Sequence, residues 1–265
     1  MASPDARTGT DADTDLQDTL DLRLPDDFRA LFAEDTGERT EDVGGGDVPR
    51  AGEADTGEAG AREADLSPPG ADDLLDDLLD RVGDWGPVDT PAGTFQLVRV
   101  RPRRDLPLLT RWMNDPAVAA FWELAGPESV TAGHLCAQLT GDGRSVPCLG
   151  VLDGVPMSYW EVYRADLDAL ARHYPARPHD TGVHLLVGGV ADRGRGIGTM
   201  LLRAVADLVL DRRPACARVV AEPDLRNTPS VAAFLSAGFR FAAEVDVPGK
   251  RAALMVRDRS LRDVL

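Results

Sequence analysis

From residue 93 onward the apolar positions fall into short alternating runs and longer helical stripes. Phe95, Leu97 and Val98 sit among polar residues, which predicts a strand over 95–100. Leu106 to Met113 predicts a helix that stops at Asn114-Asp115-Pro116, because proline lacks the N–H needed to continue it. Leu135, Gln138 and Leu139 mark a second helix. Two strands, 147–152 and 157–163, flank Asp153-Gly154, a pair that accepts the left-handed backbone of a tight hairpin. Residues 183–189 form a short apolar, β-branched run, and a helical face follows from Ile197 through Leu201, Val205 and Leu208. A strand at 219–222, a helix through Val231, Phe234 and Leu235 ending at Gly238, and strands 239–245 and 251–256 around Pro248-Gly249 complete the series. The order β, α, α, β, β, β, α, β, α, β, β predicts an α/β (α+β) domain, a mixed sheet with helices on both faces.

Ahead of residue 93 this pattern thins out. Residues 37–70 are dominated by Ala, Gly, Asp, Glu and Pro, and such a stretch buries too little apolar surface to offset its ordering entropy. Two islands interrupt it. Leu24-Pro25 leads to Asp26, a helix cap, with Phe28, Leu31 and Phe32 on one face. Leu74, Leu75, Leu78, Leu79 and Val82 form an apolar stripe among aspartates, either a docking helix or a short helix capping the domain's own surface. The expected organisation is a mostly disordered acidic extension over 1–92 and one folded domain over 93–265.

Charge sharpens that division. The chain of 265 residues carries a net charge of −16, yet residues 1–92 hold 26 acids against seven arginines. The remaining residues hold 19 acids and 22 bases, so the domain is slightly basic and overall acidity does not exclude an anionic ligand. No apolar run approaches the roughly 18 residues of a membrane span, and no basic flank with an apolar stretch opens the chain. Cys136, Cys148 and Cys216 are too few and too scattered for a disulfide framework or a zinc site. A cytoplasmic protein without a bound metal is expected, with no nucleic-acid partner and no stable membrane insertion.

The segment Arg193-Gly194-Arg195-Gly196-Ile197-Gly198-Thr199 joins a strand to a helix. Glycines let backbone N–H groups converge on an anion, the helix N-terminus adds partial positive charge, and two arginines stand beside it. A P-loop would place Lys-Ser/Thr after the last glycine, and a dinucleotide fold would place its glycines after the first strand; neither holds here. The strand and helix around this loop favour a pyrophosphate cradle over an ordinary turn.

Arg193-x-x-Gly196-x-Gly198 resembles the acetyl-CoA motif of the Gcn5-related N-acetyltransferase superfamily, and Asn227, Ser230, Phe234, Gly238 and Phe239 resemble the motif that follows it. Five further blocks narrow the likeness to siderophore-biosynthesis acyltransferases. They are Trp112-Met113-Asn114-Asp115-Pro116 with Phe121-Trp122, Gly154 to Tyr163, Gly182 to Leu186, Glu222 to Asn227, and Lys250 to Met255. The resemblance implies acyl-CoA as co-substrate and a splay between the fourth and fifth strands of the fold. It also implies that a backbone N–H at Val187 or Gly188 meets the thioester carbonyl, and that Asn227 and Ser230 lie beside the cofactor. Its matching positions carry a histidine and an aspartate as substrate contact and proton acceptor, here His184 and Glu222, the latter one methylene longer. Since a histidine suits proton acceptance near neutrality, the two roles are exchangeable. His184 opens one strand and Glu222 closes another, so they are expected to act on one pocket without a direct bond.

Half of the 14 aromatic residues fall between Trp112 and Tyr174, so Trp112, Phe121, Trp122, Tyr159, Trp160 and Tyr163 either wall a slot for an aliphatic diamine or an acyl chain or are plain core. Asp180, before the His184 strand, is either a contact for a substrate cation or a solvated acid; Lys250 and Arg251 are either anion contacts or hairpin decoration. The partners implied are a small amine or hydroxylamine, and an acyl carrier protein or siderophore synthetase. An acetyltransferase for some other amine or protein, and an inactive acyl-CoA-binding docking module, are the competing expectations.

Overall fold

The computed structural model of the chain describes residues 79–262. The island around Phe28, the stretch 37–70 and Leu74 to Leu78 lie outside the described residues. The end of the second stripe does not: Leu79 and Val82 sit in a 3-10 helix, Leu79–Asp84, and are buried with Trp85 in the main core. The folded domain therefore includes residues ahead of 93, a correction to the boundary expected from composition.

Among the described residues, eight strands form one sheet in the order β1-β2-β3-β4-β5-β6-β8-β7. They are β1 Val88–Thr90, β2 Gly93–Arg99, β3 Ser145–Leu152, β4 Val155–Arg164, β5 Thr181–Val187, β6 Arg218–Ala221, β7 Arg240–Val247 and β8 Lys250–Asp258. The helices are α1 Pro102–Met113, α2 Pro116–Trp122, α3 Glu128–Leu139, α4 Ile197–Arg212 and α5 Thr228–Ser236. Every strand pair is antiparallel except β5 with β6. Two elements escaped the periodicity. β1 has only three residues, too few to alternate. Pro116, read as a stop, begins α2, where its missing N–H costs nothing and Asp115 caps the Ala117 N–H at 3.0 Å. At the β3–β4 hairpin, Asp153 and Gly154 have φ of 48° and 80°, as a two-residue turn of this hand requires.

The pleat of β4 sorts its residues. Trp160 and Val162 face a core built with Leu201, Val205, Leu208 and Val209 of α4 and Phe234 of α5. Tyr159, Glu161 and Tyr163 point the other way, where α3 lies across the sheet and reaches Glu161 through His134 and Gln138. Helices thus cover both faces.

The parallel pair is brief. Thr181 pairs with Val219 and Gly182 with Val220, after which β5 continues along β4 to Val187 while β6 ends at Ala221. The sheet opens there, between the fifth and sixth strands counted with β1, the position the family resemblance implied. Two glycines beside it let aromatic rings pack directly on the backbone of β5 and of the residue that follows it. A Cβ on Gly182 would lie 2.0 Å from the Tyr163 ring, and one on Gly188 would lie 2.0 Å from the Trp112 ring. Gly182→Ala should therefore displace Tyr163 and cost about 1–3 kcal/mol of overpacking strain. Chemical denaturation measures it, and an unchanged unfolding midpoint would contradict this packing.

Candidate active site

Continuing the β5–β6 register from Gly182↔Val220 brings His184 level with Glu222. The two are hydrogen-bonded, His184 Nε2 to Glu222 Oε1 at 2.5 Å, which corrects the expectation that they stay apart. On the other side of the ring, Nδ1 lies 2.8 Å from Glu161 Oε2, directly across from His184 in the β4–β5 ladder. Sequence reasoning missed Glu161. Its signal was an acid in the middle of an otherwise apolar and aromatic central strand, a placement that demands partners. Those partners are present: Glu161 Oε1 accepts from Tyr159 Oη at 3.0 Å and Gln138 Nε2 at 2.7 Å, and lies 2.6 Å from His134 Nε2. Glu222 Oε2 accepts from Tyr163 Oη at 2.7 Å, and Lys250 Nζ stands 3.6 Å from Oε1.

Burial alone would raise both carboxyls and lower the imidazole, and the mutual pairing reverses each. Hydrogen bonds from His134 and His184 hold Glu161 well below the carboxylate range. The charge and hydrogen bond of His184 take Glu222 down to about 2. The charge of Glu222 and the hydrogen bond to Glu161 push His184 up to about 10. An ionised carboxylate only accepts, so both ring nitrogens of His184 carry hydrogen and neither has a free lone pair. In this state the ring is a cation and Glu222 is the basic group left facing the cleft.

The cleft encloses about 250 Å³ and passes through the opening in the sheet. Phe121, Trp122, His134, Glu161, His184 and Glu222 line it, together with Val183, Leu185, Asn227, Ser230, Phe234 and Lys250. Trp122 packs edge-on to both His184 and Tyr159. Asn227 caps α5 by accepting from the Ser230 N–H at 3.3 Å, so both residues are fixed at that helix start.

The glycine loop lies at the far end of β5. Gly194 and Gly196 have φ of 71° and 79°, and a Cβ on either meets nothing within 4 Å, so glycine serves backbone conformation there and leaves open space. Gly196 caps α4 with no side-chain hydrogen bond, so the N–H groups of Ile197, Gly198 and Thr199 remain for an anion. Arg195 is exposed beside them. Arg193 instead turns inward, where its guanidinium donates to Val187 O, Gly188 O and Asp115 Oδ1 at 2.9, 2.9 and 2.8 Å. It ties the loop to β5 and α2, a correction to its expected place as a free phosphate charge. The loop fits a pyrophosphate without it.

Other expected contacts move as well. The Gly188 N–H already donates to Met157 O at 2.8 Å, so it cannot serve the thioester carbonyl. By ladder parity Val187 turns its N–H away from β4, toward the opening. Asp180 is fully buried, ion-paired with Arg218 and bonded by Tyr174 Oη at 3.1 Å, and does not line the cleft. Trp112 and Trp160 are core residues. Tyr159 is fully buried and acts on Glu161, not on the cleft. Arg251 pairs with Glu244 at the surface, whereas Lys250 lines the cleft.

A cleft that joins an open strand edge to a buried carboxylate is the arrangement that an acyl-CoA-dependent N-acyltransferase needs. The model of the acetyltransferase (GNAT) domain family matches residues 101–247, and the chain belongs to that family. It is 38% identical over 166 residues to the lysine N-acyltransferase MbtK of Mycolicibacterium paratuberculosis, covering 63% of this chain and 75% of that one. It is 39% identical over 158 residues to the N(6)-hydroxylysine O-acetyltransferase of Escherichia coli, covering 60% and 50%. Among solved structures, an uncharacterized protein from Bacillus halodurans superposes with a TM-score of 0.64 at 31% identity, covering 68% of this chain and 92% of that one. The aminoglycoside acetyltransferase AAC(6')-Ib, solved with an aminoglycoside and acetyl-CoA, shares the fold with a TM-score of 0.58 at 22% identity, covering 64% and 96%. Among the described residues no cluster of His, Cys, Asp or Glu is arranged to hold a metal, and no helix is long and apolar enough to cross a membrane.

The cluster sets a pH dependence of stability. The contribution of Glu222 is complete above its ordinary 4.5 and is lost as pH falls toward about 2. That of His184 is complete below its ordinary 6.5 and is lost as pH rises toward about 10. Urea midpoints of the wild type and His184→Ala are therefore expected to differ most between pH 4.5 and 6.5 and to converge on either side. A difference independent of pH would contradict these ionisations.

Proposed function

We propose that the chain transfers an acyl group from acyl-CoA, or from an acyl carrier thioester, to the terminal amine or hydroxylamine of lysine, hydroxylysine or a related diamine in siderophore assembly. The observation that carries this reading is the buried Glu161–His184–Glu222 cluster at the end of a cleft walled by Phe121 and Trp122. An aliphatic chain packs on the aromatic walls while its terminal nitrogen meets the carboxylate. The names of the relatives, a lysine N-acyltransferase and an N(6)-hydroxylysine O-acetyltransferase, support lysine or hydroxylysine as the acceptor molecule.

In this reading Gly194, Arg195, Gly196, Ile197, Gly198 and Thr199 hold the pyrophosphate, and Asn227 and Ser230 flank the donor. The Val187 N–H faces the thioester carbonyl and stabilises the oxyanion that forms when the amine attacks. Glu222 receives the proton shed by the nitrogen, and His184 fixes Glu222 and balances its charge. A carrier protein or siderophore synthetase is the proposed macromolecular partner. The test is thiol release from acetyl-, succinyl- and long-chain acyl-CoA with lysine, hydroxylysine and N-hydroxycadaverine. Turnover is expected with at least one such amine, and Glu222→Gln should lower it by about 10²-fold or more. Acyl-CoA binding without thiol release for any of them would overturn this reading in favour of a docking module.

A further inference from the structure

We propose that Glu161 is a positioning residue of the transferase, holding the His184 ring between itself and Glu222 so that Nε2 addresses the cleft and Nδ1 faces the sheet. The inference rests on the acyltransferase reading of the cleft and gives Glu161, a member of its buried cluster, a role which that reading leaves unassigned. Its geometry is one-sided. Glu161 offers Oε2 to His184 Nδ1 at 2.8 Å, while its other oxygen is held by Tyr159, Gln138 and His134. Gln138 is in turn fixed by Ser145 Oγ, which donates to its Oε1 at 3.0 Å. The carboxylate is thus anchored by α3, β3 and its own strand, and only one oxygen is left for the imidazole.

A ring bound at Nδ1 by a fixed acceptor keeps one orientation and one protonation pattern, so the opposite nitrogen is held against Glu222, the basic group of the cleft. The groups around His184 are few. β4 supplies Glu161, Tyr159 and Tyr163, α3 supplies His134 behind Glu161, and β6 leads into Glu222. β8 begins with Lys250, α2 supplies the uncharged Trp122, and Asp224 lines the same cleft but is engaged by Arg226. Of these, Glu161 is the only anion that contacts Nδ1. Removing its charge leaves Glu222 alone to hold the imidazolium.

The experiment compares wild type, Glu161→Gln, Glu161→Asp and Tyr159→Phe, using a hydroxylamine acceptor that is neutral across the alkaline range. Glu161→Gln is expected to lower kcat by roughly tenfold or more, part of the usual gain from a positioned acid–base group. Its KM for acyl-CoA should stay within about twofold, because the glycine loop is untouched. The alkaline limb of the kcat profile should move to lower pH by about one unit or more, following His184. Glu161→Asp should keep the limb in place. Tyr159→Phe, which leaves the carboxylate intact, should move the limb in the same direction by less. A fall in kcat with an unmoved limb in Glu161→Gln, or no fall at all, would overturn the proposal. NMR titration of the His184 ring without substrate gives a second reading. If no amine is turned over, the acceptor assignment fails, and an unshifted ring titration in Glu161→Gln would then sink the role of Glu161 separately.

Discussion

The pairing of β5 with β6 lasts two residue pairs, Thr181↔Val219 and Gly182↔Val220, and the site is built where it stops. Parallel strands that part leave one row of backbone N–H groups facing the gap without a ladder partner. On β5 that row includes Val187, because its neighbour Gly188 is already bonded to Met157. Two residues past the last pair, His184 and Glu222 stand level and close enough to bond. One geometric event thus supplies a backbone N–H facing the gap, an acid–imidazole pair and a cleft through the sheet.

Charges placed in such an opening are costly unless they are paired. The protein meets that cost by alternating signs, Glu161, His184, Glu222 and Lys250, with the remaining carboxylate lone pairs covered by Tyr159, Tyr163, Gln138 and His134. The same arrangement divides the chemical labour. The imidazole is held as a cation, and the carboxylate beside it is the basic group in the cleft. Arg193 works on the opposite wall, joining the carbonyls at the end of β5 to the N-cap of α2, the helix that ends in Phe121 and Trp122. The glycine loop and the aromatic wall therefore share a strut.

Much of this is legible in the sequence. The hairpin at Asp153-Gly154, the strand and helix around the glycine loop, and the mixed sheet follow from periodicity and turn chemistry. His184 and Glu222 stand out through their family likeness, but their contact does not, because register between sequence-distant strands cannot be read from either strand alone. Glu161 is masked by the aromatics beside it, although an acid between Tyr159 and Tyr163 on one face of a central strand is itself a signal. The glycines of the loop are legible, but Arg193 reads as a free charge, and only packing shows that charge spent on Asp115 and two carbonyls. Asp180 misleads for the same reason: Arg218, 38 residues away, takes it up.

At the centre of the site, His184 rests as a cation clamped between two carboxylates. Nitrogen NMR of the His184 ring at neutral pH tests this most directly. Both ring nitrogens are expected to be protonated, with each N–H shielded from exchange by its carboxylate. A neutral ring with one protonated nitrogen would contradict it.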